Sequence, residues 1–174
     1  MVRKISTSYG SQWQKNPKVS SAVDVKVFKG SEFIGKKVLA DIEFIGALER
    51  INNHAKANQV KIHVTSSLRA SSNVSGAIVV PAKKSNHMAG HAIDMNIKYP
   101  GGFANSKYLK KSNSAGWHPS VSGFIDAIRK DSGLRWGGDF RSEDPVHIDD
   151  HLNKDLSKWD ARYKAVQQAW RSLL

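Results

Sequence analysis

Apolar residues recur at helical spacing in three parts of the chain. In residues 38–58 an isoleucine or leucine returns at every third position, which predicts a helix packed on a sheet. A second helix is predicted over residues 120–131, with Ser120 as its N-terminal cap and Gly133 as its stop. A third is predicted over residues 155–174, where an apolar stripe more often faces a core than a membrane or a partner.

Strand patterns alternate with these helices. Residues 60–65 place apolar side chains at every second position, which is typical of a half-buried strand. The short run 77–80, which ends at Pro81, indicates either a strand or a loop edge. Residues 100–116 are rich in Gly, Asn and Ser, and predict a long loop that borders a substrate groove. Further strands are predicted at 94–97 and 134–136.

The domain organisation follows from these elements. Residues 38–174, including the helix at 155–174, are predicted to form one domain of the α+β class, with a small antiparallel sheet flanked by helices. Residues 1–37 are predicted to be an N-terminal extension. Alternating valines at 23, 25 and 27 favour an edge strand there, and a partner-docking arm remains the alternative.

Charge changes the picture of the surface. The 174 residues include 27 Lys and Arg against 15 Asp and Glu, a net charge of +12, which favours polyanionic partners. The lysines are dispersed and not interleaved with aromatics, so nucleic acid is not the expected partner. No apolar run approaches the roughly 18–20 residues that span a bilayer. The basic N-terminus lacks a following apolar segment, which is not typical of a secretory signal.

Candidate chemistry is concentrated in two segments, SNHMAGHAID at 85–94 and DPVHID at 144–149. A catalytic zinc takes three protein ligands and leaves one position to water, and His87, Asp94 and His147 can supply those three. The chain has no cysteine, which excludes a thiolate-bound zinc finger. Asp144 lies three residues before His147, where a general base can converge on the same site.

These segments give the chain a family resemblance. The pattern SxHxxGxAxD, with an acidic residue three positions before a final His, resembles the LAS zinc peptidases. That family includes D-Ala-D-Ala carboxypeptidases and dipeptidases, and the L-alanyl-D-glutamate endopeptidases of phage endolysins. The segment LRWGGDFRSEDPVHID at 134–149 is most similar to the endolysin branch, through its WGGD stretch and its Asp in the place of Glu. The resemblance covers roughly residues 39–152.

The resemblance implies an LAS-type (hedgehog and D-Ala-D-Ala peptidase-like) fold and a role for each of these residues. By it, His87, Asp94 and His147 hold Zn2+, and Asp144 is the general base and acid. Arg69, in the turn after the strand at 60–65, binds a substrate carboxylate or polarises the scissile carbonyl. The chain departs from the family at position 68, where a leucine replaces the usual aromatic.

Four further residues are expected near the metal. Ser85 hydrogen-bonds substrate or holds its own loop. His91 is spaced four residues after the first ligand, but Gly90 is a poor helix residue, so His91 is expected to support a ligand or to face substrate. Asp149 and Asp150 are candidates to orient the last histidine ligand through its second ring nitrogen.

Together these features predict a zinc-dependent metallopeptidase that hydrolyses peptidoglycan stem peptides. The endolysin-like features point to cleavage between L-Ala and D-Glu, by a monomer that is a phage enzyme or a secreted antibacterial effector. Such an enzyme would be made in the cytoplasm and reach the wall through a holin or dedicated secretion, steered by anionic envelope polymers or a membrane surface. A D-alanyl-D-alanine carboxypeptidase on the same fold, and a non-catalytic zinc-containing binding domain, remain as alternatives.

Overall fold

A computed structural model describes residues 24–71 and 83–171, and the structural statements below concern those residues. Within them, groups of strands are separated by helices. The strands are β1 Val25–Phe28, β2 Phe33–Gly35, β3 Val38–Asp41, β4 Lys61–Ser66, β5 Ala92–Tyr99, β6 Gly102–Ala104, β7 Arg135–Trp136 and β8 His147–Asp149. The helices are α1 Ile45–Ala57, α2 Pro119–Lys130 and α3 Leu156–Arg171, and short 3-10 turns join several elements.

The main sheet has the strand order β2-β4-β5-β8-β7, and β6 also pairs with β5. Strand β5 is antiparallel to β4, β6 and β8, and β7 is antiparallel to β8. Strand β2, in contrast, runs parallel to β4. The predicted α+β class is therefore confirmed, and the predicted antiparallel pairing is found in the main sheet for every pair except β2 with β4. Strands β1 and β3 form a separate two-stranded antiparallel ladder.

The core lies on one face of the main sheet. Alternate residues of β5, Ile93, Met95 and Ile97, are fully buried in one cluster with Leu48 of α1 and Ile125 of α2. Because side chains alternate across a strand, the residues between them point to the opposite face. Hydrophobic burial thus fixes which face of β5 remains available for polar side chains.

Several predicted boundaries shift in the structure. The helix predicted over 38–58 begins only at Ile45, because Asp41 ends β3 and its Oδ1 accepts a hydrogen bond from the Glu43 amide. The predicted cap Ser120 is also wrong, since His118 Nδ1 accepts from the Ser120 amide at 3.2 Å. The predicted loop at 100–116 contains β6 and a 3-10 turn, Lys111–Gly116.

The N-terminal part of the chain contributes to both ladders. The predicted edge strand is present as β1, and residues 33–35 pair with β4 as β2, so the described part of the predicted extension packs on the domain. Residues 1–23 and the apolar run at 77–80 lie outside the described residues.

Helix α3 packs on the domain, as the core interpretation predicted. Trp159 is buried in a cluster with Met88 and Leu152. Val166, about two turns further on, is buried against Val25 and Leu68. Within 24–71 and 83–171, no helix combines the length and apolarity that a membrane crossing requires.

Candidate metal centre

The sheet brings two of the predicted ligands together. Asp94 on β5 and His147 on β8 are direct cross-strand partners, on the face opposite the core. His87 comes from the 3-10 turn Asn86–Ala89, which precedes β5. Gly90 ends that turn at a φ of +74°, with its missing Cβ facing the Asp41 backbone, so only glycine fits this conformation and approach. The turn therefore brings His87 close to the two ligands on the strands, Asp94 and His147.

Three ligand atoms converge at this point. His87 Nε2 lies 3.0 Å from Asp94 Oδ1 and 3.1 Å from His147 Nδ1, and His147 Nδ1 lies 3.3 Å from Asp94 Oδ1. In a tetrahedral zinc site with bonds of about 2.0–2.2 Å, ligand atoms are about 3.3–3.6 Å apart. The donor set and its spacing therefore fit zinc, with a fourth position left open.

Both histidine rings are oriented through their other nitrogen. His87 Nδ1 donates to the Ser67 carbonyl at 2.7 Å, which leaves the Nε2 lone pair for a metal. His147 Nε2 donates to Asp149 Oδ2 at 2.9 Å, which leaves Nδ1. Arg135 holds Asp149 in turn, with contacts of 2.8 and 2.6 Å to its two oxygens. These tautomers follow from the hydrogen-bond partners.

The pKa values of the three candidate ligands are shifted by burial and by their neighbours. Burial lowers the pKa of His87, and the neighbouring Asp94 opposes this. Burial alone would also lower the pKa of His147, but Asp149 and Asp94 outweigh it and raise that pKa to about 9. The two histidines hold the pKa of Asp94 well below its usual value despite its burial. A bound cation would take the place of the proton on His147.

Asp144 is held beside the ligands by the WGGD segment. Its amide donates to the Gly137 carbonyl at 2.9 Å, and its carbonyl accepts from the His147 amide at 3.1 Å. The indole of Trp136 donates to the Pro145 carbonyl at 2.8 Å. A Cβ on Gly137 would collide with the Asp144 carbonyl and the His147 Cβ. The tight packing explains why this motif combines a tryptophan with a glycine.

The environment of Asp144 suits a base. Burial raises the pKa of its carboxyl group, and the negative charge of Asp94 adds to that effect. The nearby histidine ligands and Arg69 oppose it. A carboxylate with a raised pKa accepts a proton more readily than an exposed one.

Arg69 lies near the Oδ2 atom of Asp94. Its Nη1 is 3.9 Å from Asp94 Oδ2, and 19% of its side chain is exposed. Its buried Nε has no hydrogen-bond partner among the residues that the structure describes. Burial lowers the pKa of the guanidinium, and Asp94 and Asp144 oppose this. The preceding Leu68 is buried against Val166 of α3, so position 68 here serves the core.

His91 is buried between two carboxylates. The residue is 1% exposed, and its Nδ1 lies 2.6 Å from Asp150 Oδ2 while its Nε2 lies 3.0 Å from Asp41 Oδ2. The contact of His91 with substrate stays a prediction. The carboxylate at the second ring nitrogen of His147 belongs to Asp149 and not to Asp150. Ser85 is buried at the start of the ligand turn, where its carbonyl accepts from the Met88 amide at 3.0 Å. Its contact with substrate stays a prediction.

Asp149 was a candidate from the sequence to orient His147, and its spacing of two from His147 in a strand places both on one face. Other residues that build the site had no role assigned from the sequence. Trp136 and Gly137 were noted only as part of a motif. The Ser67 carbonyl and Gln167 of α3, described below, had no signal, since a backbone acceptor and a lone helical glutamine leave no pattern.

Two comparisons find similarity to known proteins. Residues 80–150, which include His87, Asp94, Asp144 and His147, match the family model described as D-alanyl-D-alanine carboxypeptidase. Among solved structures, the chain is similar to the L-Ala D-Glu endopeptidase ChiX of Serratia marcescens, with 19% sequence identity and a TM-score of 0.39. That match covers 63% of this chain and 81% of the other. No curated protein sequence matches significantly.

Proposed function

We propose that this chain, an LAS-type zinc peptidase by its motifs and by the match over residues 80–150, hydrolyses the stem peptides of peptidoglycan. The observation that carries the proposal is the convergence of His87, Asp94 and His147, whose ligand atoms all lie within 4.8 Å of one another. A partly buried carboxylate, Asp144, and a guanidinium, Arg69, stand beside them. This is a donor set with an acid–base group and an oxyanion-binding group at hand.

The roles divide among the side chains. His87, Asp94 and His147 would hold a zinc ion, and a bound zinc would supply Lewis-acid chemistry toward a carbonyl and would lower the pKa of water to near neutral. Asp144 takes a proton from the attacking water and delivers it to the leaving amine as the peptide bond breaks. Its raised pKa suits both directions of this transfer, since a carboxyl group that is too acidic holds a proton poorly.

Arg69 binds the substrate. Its buried Nε has no hydrogen-bond partner among the described residues, and its Nη1 is only 3.9 Å from Asp94. A planar guanidinium in this position can hold a substrate carboxylate, or the carbonyl oxygen on which negative charge develops. The partial exposure of its side chain leaves room for such a contact.

The scissile bond that we propose is the one between L-Ala and D-Glu. This choice is supported by the resemblance of residues 134–149 to the endolysin branch and by Asp144 in the place of a glutamate. The net charge of +12 would concentrate the protein at anionic envelope polymers. We place its action on the bacterial wall, as an endolysin-like enzyme or an antibacterial effector.

A second activity has a specific observation in its favour. The family model that matches residues 80–150 is described as D-alanyl-D-alanine carboxypeptidase. Such an enzyme would remove the terminal D-Ala from the stem peptide on the same metal site, with Arg69 binding the free carboxylate of the substrate.

Mass spectrometry of peptidoglycan fragments separates these activities. Purified wall fragments are incubated with zinc-loaded protein, and the Asp144→Ala variant serves as the control. We expect products cut after L-Ala with the wild type alone. Release of free D-Ala would shift the assignment to the carboxypeptidase. Absence of cleavage in every wall type tested, with zinc bound, would favour a zinc-containing binding domain.

A further inference from the structure

One side chain of α3 reaches the candidate site from outside the segment that matches the family model. Gln167 is 6% exposed, and its Nε2 donates to two backbone carbonyls, that of Met88 at 2.7 Å and that of Arg69 at 2.9 Å. An amide nitrogen carries two hydrogens, so each carbonyl takes one of them. Gln167 therefore bridges two segments with its full donor capacity.

Both bridged segments carry residues of the site. Met88 follows His87 in the ligand turn, and Arg69 carries the guanidinium beside Asp94. The same two segments are joined twice more, since the Arg69 amide donates to the His87 carbonyl at 3.2 Å and the His87 ring donates to the Ser67 carbonyl at 2.7 Å. Gln167 supplies the third link, and it is the one that acts on the Arg69 carbonyl.

The chemistry of the bridge selects a neutral amide. Two buried carbonyls need donors, and an apolar side chain of the same length would leave both without a hydrogen bond. A glutamate would bring a carboxylate against two carbonyl oxygens, which repel it. The neighbouring Val166 is fully buried against Leu68. The packing of α3 therefore holds the Gln167 side-chain amide within reach of the two carbonyls.

We propose that Gln167 is a positioning residue that holds Arg69 in place relative to the His87 turn. It acts through the backbone on either side of the site and touches neither metal nor substrate. This inference rests on the proposed function for its catalytic consequence. Its structural consequence, the fixed relation of Arg69 to the ligand turn, is measurable without any substrate.

The test compares Gln167→Met with Gln168→Met. The second variant makes the same chemical change one residue further along α3, at an exposed position. For Gln167→Met we expect amide hydrogen exchange at Arg69 and Gly90 to accelerate about tenfold or more, because both amides donate to the His87 carbonyl. We expect kcat on wall fragments to fall about tenfold, and KM to change less.

Zinc affinity provides an independent readout. The His87 ring keeps its bond to the Ser67 carbonyl in the variant, so we expect zinc titration against a chelator to give a Kd within about threefold of the wild type. Gln168→Met should match the wild type in every measurement. Gln167→Asn keeps the amide on a shorter side chain, and we expect effects between those of the wild type and Gln167→Met.

Two results would overturn the proposal. One is unchanged exchange at Arg69 in Gln167→Met. The other is an acceleration spread evenly over the chain with unchanged kcat in the folded protein, which is the behaviour of a residue that only stabilises the fold. If the wild type cuts no wall fragment, the proposed function fails, but the exchange and zinc measurements still decide the role of Gln167.

Discussion

His147 Nε2 lies 2.9 Å from the Oδ2 of Asp149, two residues further along the same strand. The carboxylate accepts the proton of one ring nitrogen and so directs the lone pair of the other to the metal position. Arg135 holds Asp149 with two short contacts, which prevents the carboxylate from turning away. The last ligand of the candidate site is therefore fixed by a chain of charged groups.

Removing the charge of Asp149 is expected to weaken metal binding. In Asp149→Asn the amide is a weaker acceptor for His147, so we predict that zinc affinity falls about 10- to 100-fold, measured by competition with a chelator. Asp126→Asn is the control, because Asp126 is an exposed partner of Arg129 on α2. Equal zinc affinity in Asp149→Asn and the wild type would contradict the orienting role.

A matched pair of glycine substitutions tests the turn that carries Asp144. Gly137→Ala places a Cβ against the Asp144 carbonyl and the His147 Cβ, so we predict loss of activity and weaker zinc binding. Gly46→Ala places a Cβ in open space within α1, and we predict a gain of about 0.5–1 kcal/mol in the free energy of unfolding. Urea denaturation and zinc titration of both variants check these signs. Full activity in Gly137→Ala would show that the site tolerates a Cβ at position 137 beside the Asp144 carbonyl and the His147 Cβ.

The base assignment predicts a separation of binding from turnover. Asp144→Asn keeps the backbone contacts to Gly137 and His147 but removes the proton acceptor. We predict that kcat on wall fragments falls about 10²- to 10⁴-fold while one zinc remains bound. Glu143→Gln, at the adjacent position, is the control and should retain activity. An active, zinc-loaded Asp144→Asn would assign the base elsewhere.

The buried ring of His91 predicts a pH dependence of stability. Burial alone would lower the pKa of His91, but Asp150 and Asp41 outweigh it and raise this pKa to about 9. Arg162 contacts Asp41 as well, so His91 lies in a network of both charge signs. A pKa raised above the unfolded value of about 6.5 stabilises the fold fully below that pH, and this contribution is lost as the pH rises through 9.

His91→Gln tests the sign of this effect. Between about pH 6.5 and 9.5, we predict that the free energy of unfolding of the wild type falls by about 1–3 kcal/mol more than that of the variant. Urea denaturation at a series of pH values measures the difference. Parallel pH profiles for the two proteins would show that His91 has the same proton affinity in both states.

Much of the fold could be predicted from the sequence, because the spacing of the apolar residues matches the period of the secondary structure that forms. Strand β4 and the helices α2 and α3 follow clean apolar patterns, and they form within a few residues of the predicted bounds. Val38–Asp41 was misassigned because its apolar residues extend the helical stripe of α1, while the ladder with β1 and the Asp41 cap decide the outcome. The parallel pairing of β2 could not be predicted, because a strand of three residues has no sequence pattern that indicates its direction in the sheet.

The candidate site could be predicted where a short segment contains metal-binding residue types at a characteristic spacing. Histidine and aspartate at fixed spacing indicated the ligand set, and the structure brings these groups together. The two carboxylate partners of His91, Asp41 and Asp150, could not be predicted, because they lie far apart in sequence and meet only through tertiary packing. The same reason hides Gln167, whose two acceptors are backbone carbonyls 79 and 98 residues away.

The cross-strand pairing of Asp94 with His147 joins positions 53 residues apart. Closing so long a loop costs chain entropy before the pair forms, so β8 is expected to join the sheet late in folding. The time at which the refolding protein binds zinc would then report when β8 joins the sheet. A refolding experiment with a zinc-sensitive dye would time the completion of the sheet, independently of any catalytic event.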